Sequence, residues 1–130
     1  MKKTIKDRYF KIETPPYCFN ELFVFVGKAE NFDKALFKVY RDITADKLEE
    51  RPHMSYWWNS LYDKKILVTS IYMPTLEFDA KWLGCLMHEI QHVAFVVFKK
   101  ANVKITAKND EAFTYFCEYV FEEICKKYFK

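Results

Sequence analysis

Four polar side chains stand together in an otherwise apolar run: His88, Glu89, Gln91 and His92, inside Trp82–Phe98 (WLGCLMHEIQHVAFVVF). The run predicts a helix. Residues i and i+4 of a helix lie about 40° apart around its axis and one turn apart along it. His88 and His92 can therefore turn two imidazole nitrogens toward one ion, which zinc accepts at about 2.0–2.1 Å. Glu89, rotated by about 100°, stands beside such an ion without having to ligate it. A carboxylate there can hold a water and take its proton, the general-base half of metal-assisted hydrolysis. A plainer reading is a pair of core histidines bonded to Glu89 and a backbone carbonyl. The surrounding residues are apolar on every side, which predicts a helix buried on most faces. Unpaired polar groups in it would cost about 1–3 kcal/mol each, and a bound ion would satisfy them together.

Two histidines leave a catalytic zinc short of the three protein ligands it takes beside a water. His53 is the one remaining histidine in the chain. The other source is the last helix, NDEAFTYFCEYVFEEI, where Glu111, Tyr115, Glu118 and Glu122 share a face at spacings of 4, 3 and 4. A solvated acidic face accounts for Glu122 and Glu123. Glu111 differs, because it opens the helix beside the connection from the motif and borders the apolar stripe of Phe113, Phe116, Cys117, Val120, Phe121 and Ile124. Gly84, one turn before His88, leaves room for another backbone to approach the histidine face.

HEIQH followed by a glutamate on a second helix resembles the zincin metallopeptidases in their gluzincin branch. Eighteen residues separate His92 from Glu111, at the short end of what that branch uses. Met87–Tyr119, with HEIQH, a short basic linker and NDEAFTYFCEY, is also similar to small HExxH metallopeptidases of phage and prophage genomes, which pair the motif with N-[DS]-E-x-x-x-Y. The resemblance covers about the last third of the chain. It implies one zinc per chain held by His88, His92 and Glu111, Glu89 as general base, and hydrolysis of a peptide bond in a peptide or protein substrate. It also implies a His or Tyr on the oxyanion. Tyr115, Tyr119, Tyr72 and His53 are available, and Tyr115 is preferred because it follows Glu111 by one turn. The strand before the motif helix, Lys65–Met73, would run along the cleft as an edge and pair with the substrate backbone. Ile71 and Tyr72 would then contact substrate together with Gly84. An apolar collar of Leu86, Met87, Ile90 and Phe95 would keep the site dry and strengthen its electrostatics. No glycine or third histidine follows His92 at the metzincin distance. Gluzincins complete their cleft with a large second domain for which these 130 residues have no room, so a site here is expected to be shallow. A different class of function is a zinc-binding protein without turnover, such as a phage accessory module.

The elements that must position these residues are legible from pattern. Tyr9–Glu13 and Glu21–Val26 predict strands, the second stopping at Gly27. A helix follows from about Asn31, with Phe32, Ala35, Leu36, Val39, Tyr40 and Ile43 at helical spacing. Leu48–His53 predicts a loop, and Ser55–Asn59 with Lys65–Met73 a hairpin. Asp79 caps a helix from about Ala80 to Lys100, and a last helix runs from about Asn109 to Tyr128. Strands first and long helices after predict an α+β domain, a small mostly antiparallel sheet packed on one face by helices.

Composition bounds the rest. The chain has 130 residues, 51% hydrophobic and 30% charged, with 13 Phe, 9 Tyr and 3 Trp but only two glycines. This predicts one domain with a large aromatic core, and excludes collagen-like and disordered classes. The net charge of +3 demands neither nucleic acid nor a membrane. Trp57 and Trp58 belong to strand packing rather than to a nucleic-acid stacking platform. The start, MKKTIKDRYFKIE, has no apolar stretch of a signal peptide, and no apolar run is long enough to span a membrane. The expected location is the cytoplasm, the host cytoplasm for a phage-encoded chain. The four cysteines form no CxxC pair and are expected as reduced thiols. Exposed aromatics make a homodimer compatible with the composition.

Overall fold

A computed structural model describes residues 6–40, 55–59 and 67–129, with 55–59 and 67 as backbone only. The expected loop at Leu48–His53, His53 itself, the helix position Ile43 and the hairpin turn lie outside the described residues. Within them the order is β1 (Arg8–Glu13), β2 (Asn20–Val26), α1 (Phe32–Val39), β3 (Ser55–Asn59), β4 (Leu67–Met73), α2 (Ala80–Lys100) and α3 (Asp110–Tyr128).

The strands form one sheet in the order β1-β2-β4-β3. β1–β2 and β3–β4 are antiparallel, and the central β2–β4 pair is parallel. A parallel pair needs a crossover connection, and α1 lies on it. Alternation along β2 sorts the core. Leu22, Val24 and Val26 join Ile71 and Met73 against α2 and α3, while Phe23 and Phe25 join Val68 and Tyr72 against α1. The fold is α+β, with the two long helices on one face and the short α1 on the other. Covering both faces explains why ELFVFV and LVTSIYM are nearly continuous apolar runs.

The topology corrects one expectation. The zincin resemblance implies a cleft edge at Lys65–Met73, but β4 is bonded to β2 on one side and β3 on the other, as its apolar run suits. Among the described residues, the strand with a free side next to the motif helix is β3, which lies against α2 together with β4. An inner and an edge strand have the same local pattern here, and only the crossover through α1 inserts β4 between them.

Local chemistry sets the helix ends. Asp79 caps α2, its carboxylate accepting from the Trp82 N–H at 2.8 Å. Asn102, with φ 60°, closes α2 in a Schellman motif. The Val103 N–H donates to Phe98 O at 2.9 Å and the Asn102 N–H to Lys99 O at 3.1 Å. Gly27 ends β2 where a Cβ would collide with the Asp7 carboxylate, which accepts from the Lys28 N–H at 3.0 Å. Arg8 pins α3 to β1, donating to Tyr128 O at 2.7 Å and lying 4.3 Å over the Tyr128 ring. Among the described residues, no helix is long and apolar enough to cross a membrane.

Candidate metal centre

The motif lies on the third and fourth turns of α2, and the structure splits its four polar residues. Leu86, Glu89, Ile90, Val93, Ala94, Val97 and Phe98 form the buried face. Lys81, Gly84, His88, Gln91, His92, Phe95 and Lys99 are exposed. The expectation of a helix buried on most faces is therefore corrected: only Glu89 of the four goes inside. Among the described residues one arc of α2 has no neighbour to bury against, because α3 packs along its side and the sheet lies over its back.

His88 and His92 converge. Their Nε2 atoms are 3.1 Å apart, with ring centroids at 4.7 Å and planes at 76°. Two nitrogens on one tetrahedral zinc stand about 3.3 Å apart, so the donor pair fits that ion closely. The Glu89 Oε1 atom lies 4.0 Å from His88 Nε2, with the His88 side chain 68% exposed and that of Glu89 4%. The geometry is a pair of imidazoles facing solvent at hydrogen-bond distance, with a buried carboxylate beside it.

The other expected site residues are not gathered around this pair. Among the described residues, no three His, Cys, Asp or Glu side chains cluster for a metal. Glu111 is exposed at the start of α3. The helix register gives the reason. Phe113 meets Phe95 and Phe98 at 5.0 and 5.8 Å, and Phe116 meets Phe98 at 5.8 Å. The first turns of α3 thus lie opposite Phe95 and Phe98, roughly 4.5–9 Å of helix axis beyond His92. Glu111 precedes Phe113 by two residues and so stands at that end of the helix pair. Tyr115 is 63% exposed on the same outer face. Tyr119 lines a separate groove with Lys11, Glu13, Glu123 and Lys127, on the β1 side of α3.

Ile71 and Tyr72 are buried, at 0% and 6% exposure, and the Tyr72 hydroxyl donates to Gly27 O at 3.1 Å. They belong to the two cores of the sheet rather than to a substrate cleft, and Tyr72 is unavailable to an oxyanion. The dry collar is corrected as well. Leu86 and Ile90 are wholly buried beneath the motif, but Phe95 is 53% exposed and the histidines face water. Gly84 has open space where its side chain would be, and no atom approaches within 4 Å. The four cysteines are free thiols. Burial pushes the Cys117 thiol up to about 11, which keeps it protonated and out of nucleophilic chemistry.

The histidine face of α2 continues beyond His92 as an exposed stripe. Phe95 and Lys99 carry it into the α2–α3 connection, where they line a groove with Val103, Lys104 and Ile105. Its signal in the sequence is the lysine-rich run KKANVKITAK. Compared with known proteins, the chain matches no family model, no curated protein and no solved structure.

Proposed function

We propose that the chain is a zinc-dependent peptidase of the zincin type, acting in the cytoplasm on peptide or protein substrates. The observation that supports this best is the pair of His88 and His92 Nε2 atoms at 3.1 Å, open to solvent, with the Glu89 carboxylate packed beside them. When bound there, zinc supplies an acidified water and a Lewis acid for a peptide carbonyl. The chain's own groups do the rest. His88 and His92 bind through unprotonated Nε2 atoms. Glu89, buried beside the pair, holds the attacking water and takes its proton. The side of β3 left free among the described residues is an edge to which an extended peptide backbone can add, alongside α2. Glu111 as third ligand and Tyr115 as oxyanion donor rest on the resemblance alone.

Zinc loading with activity measurements tests the reading. The purified chain takes up about one zinc, and Glu89→Gln retains it while peptide hydrolysis falls at least about a hundredfold. A chain that cannot be loaded with zinc sinks the proposal, as does full activity in Glu89→Gln.

A second reading, a zinc-binding module without turnover, is favoured by one observation: the described residues bring two ligands together rather than three. It expects bound zinc and no cleavage of any peptide library.

A further inference from the structure

The exposed stripe of α2 does not end at the histidines. It continues through Phe95 and Lys99 into a groove of about 410 Å³. Phe95, Phe98, Val103 and Ile105 give its apolar wall, and Lys99 and Lys104 its charged rim. Phe95 is 53% exposed and Ile105 36%. The turn that shapes it is held in place. The Schellman bonds seat Val103 against Phe98. Beyond them, the Asn109 amide ties the connection together, its Oδ1 accepting from the Thr106 N–H and its Nδ2 donating to Lys104 O. A groove already ordered before binding loses little entropy on binding.

Charge sets the occupant. Lys99, Lys100, Lys104 and Lys108 are all exposed, and among the described residues none has a carboxylate at ion-pair distance. Asp110 and Glu111 follow in sequence but pair with none of them. Lys99 and Lys100 sit at the negative end of the α2 dipole, which is reason enough for those two. Lys104 and Lys108 lie past the helix and have no such role. Unneutralised ammonium groups around an open apolar groove complement an apolar side chain flanked by carboxylates.

We propose that this groove is a recognition subsite for an acidic polypeptide segment. A bulky apolar side chain fills it, and Asp or Glu residues on either side meet the lysines. The binding stands on the groove itself, and its role as a substrate subsite rests on the peptidase reading. From His92 to the Phe95–Lys99 stretch is about 4.5–10 Å along α2, which an extended chain spans in two or three residues. Cleavage therefore falls two or three residues from the apolar anchor.

The test uses the full chain carrying Glu89→Gln and three labelled, C-terminally amidated peptides: Phe within Asp/Glu flanks, the same Phe within Lys flanks, and the acidic peptide with Gly for Phe. Fluorescence anisotropy is expected to show the acidic Phe peptide binding at least tenfold tighter than either control. The double variant Lys99→Glu/Lys104→Glu is expected to erase that advantage. Equal binding of acidic and basic peptides, or a preference that survives the double variant, overturns the subsite. So does charge-dependent binding to phosphatidylserine vesicles without any peptide preference, which reassigns the groove to a membrane surface. With the zinc-loaded wild-type chain the two proposals separate. Acidic peptides bound but never cut refute the peptidase and leave the binding site. Cleavage without acidic preference refutes the subsite and leaves the peptidase.

Discussion

Gly84→Ala is the sharpest probe of the open stripe. Gly84 is the fifth residue of α2, and a Cβ built on it meets no atom within 4 Å. A glycine in a helix interior is less stable than alanine by about 0.5–1 kcal/mol, because it gives up more backbone freedom on folding. Nothing within the described chain offsets that, since no neighbour uses the vacant space. The substitution is therefore expected to stabilise the fold by about 0.5–1 kcal/mol. For a domain of this size, about 3–5 °C of Tm per kcal/mol makes that a rise of roughly 2–4 °C. Calorimetric melting reads it directly, and the urea midpoint should move the same way. The new methyl group also stands on the histidine face, one turn before His88. Zinc affinity should hold within about twofold, while hydrolysis slows several-fold as the approach narrows. A fall in Tm would show that the Cβ does meet a neighbour. The stripe would then be covered, and the solvent-facing placement of both histidines would fail with it.

Other outcomes are equally checkable. In the three-ligand form of the peptidase, Glu111→Ala lowers zinc affinity at least tenfold more than Glu118→Ala or Glu122→Ala by titration calorimetry, whereas equal small effects leave a two-histidine site and favour the module without turnover. His92→Ala should cost zinc affinity about a hundredfold or more, and retention of wild-type affinity would remove the metal centre. Alkaline pH should loosen the fold through Cys117. Its thiol ionises near 9 when unfolded and near 11 when buried, so the stability it contributes is full below pH 9 and is lost as pH rises to 11. The loss is at most about 3 kcal/mol, and Cys117→Ala should show a flatter decline in urea midpoint across that window.

Much of the scaffold was legible because its signals are local. Asp79 as a cap, Gly27 as a strand stop and the periodicity of Ala80–Lys100 each need only a few neighbouring residues, and each stands where its chemistry puts it. The histidine pair is of the same kind. His88 and His92 converge because one turn of helix separates them, whatever packs around it.

Tertiary structure decided what those signals meant. Around α2 the four polar residues span a broad arc, with His88 at 0°, His92 at about 40°, Gln91 at about −60° and Glu89 at about 100°. Which part of that arc faces water depends on where the sheet and α3 sit, and they bury Glu89 while leaving the histidines open. The apolar run of β4 suits an edge or an interior equally, and the crossover through α1 made it interior. Glu111 and His92 are near in sequence, yet a nine-residue return between antiparallel helices sets them at different levels. Spacing along one element is a covalent property that the sequence determines by itself. Distance between elements is a packing property, and here packing chose an exposed histidine pair, an inner β4 and a lysine-rimmed groove one turn beyond the motif.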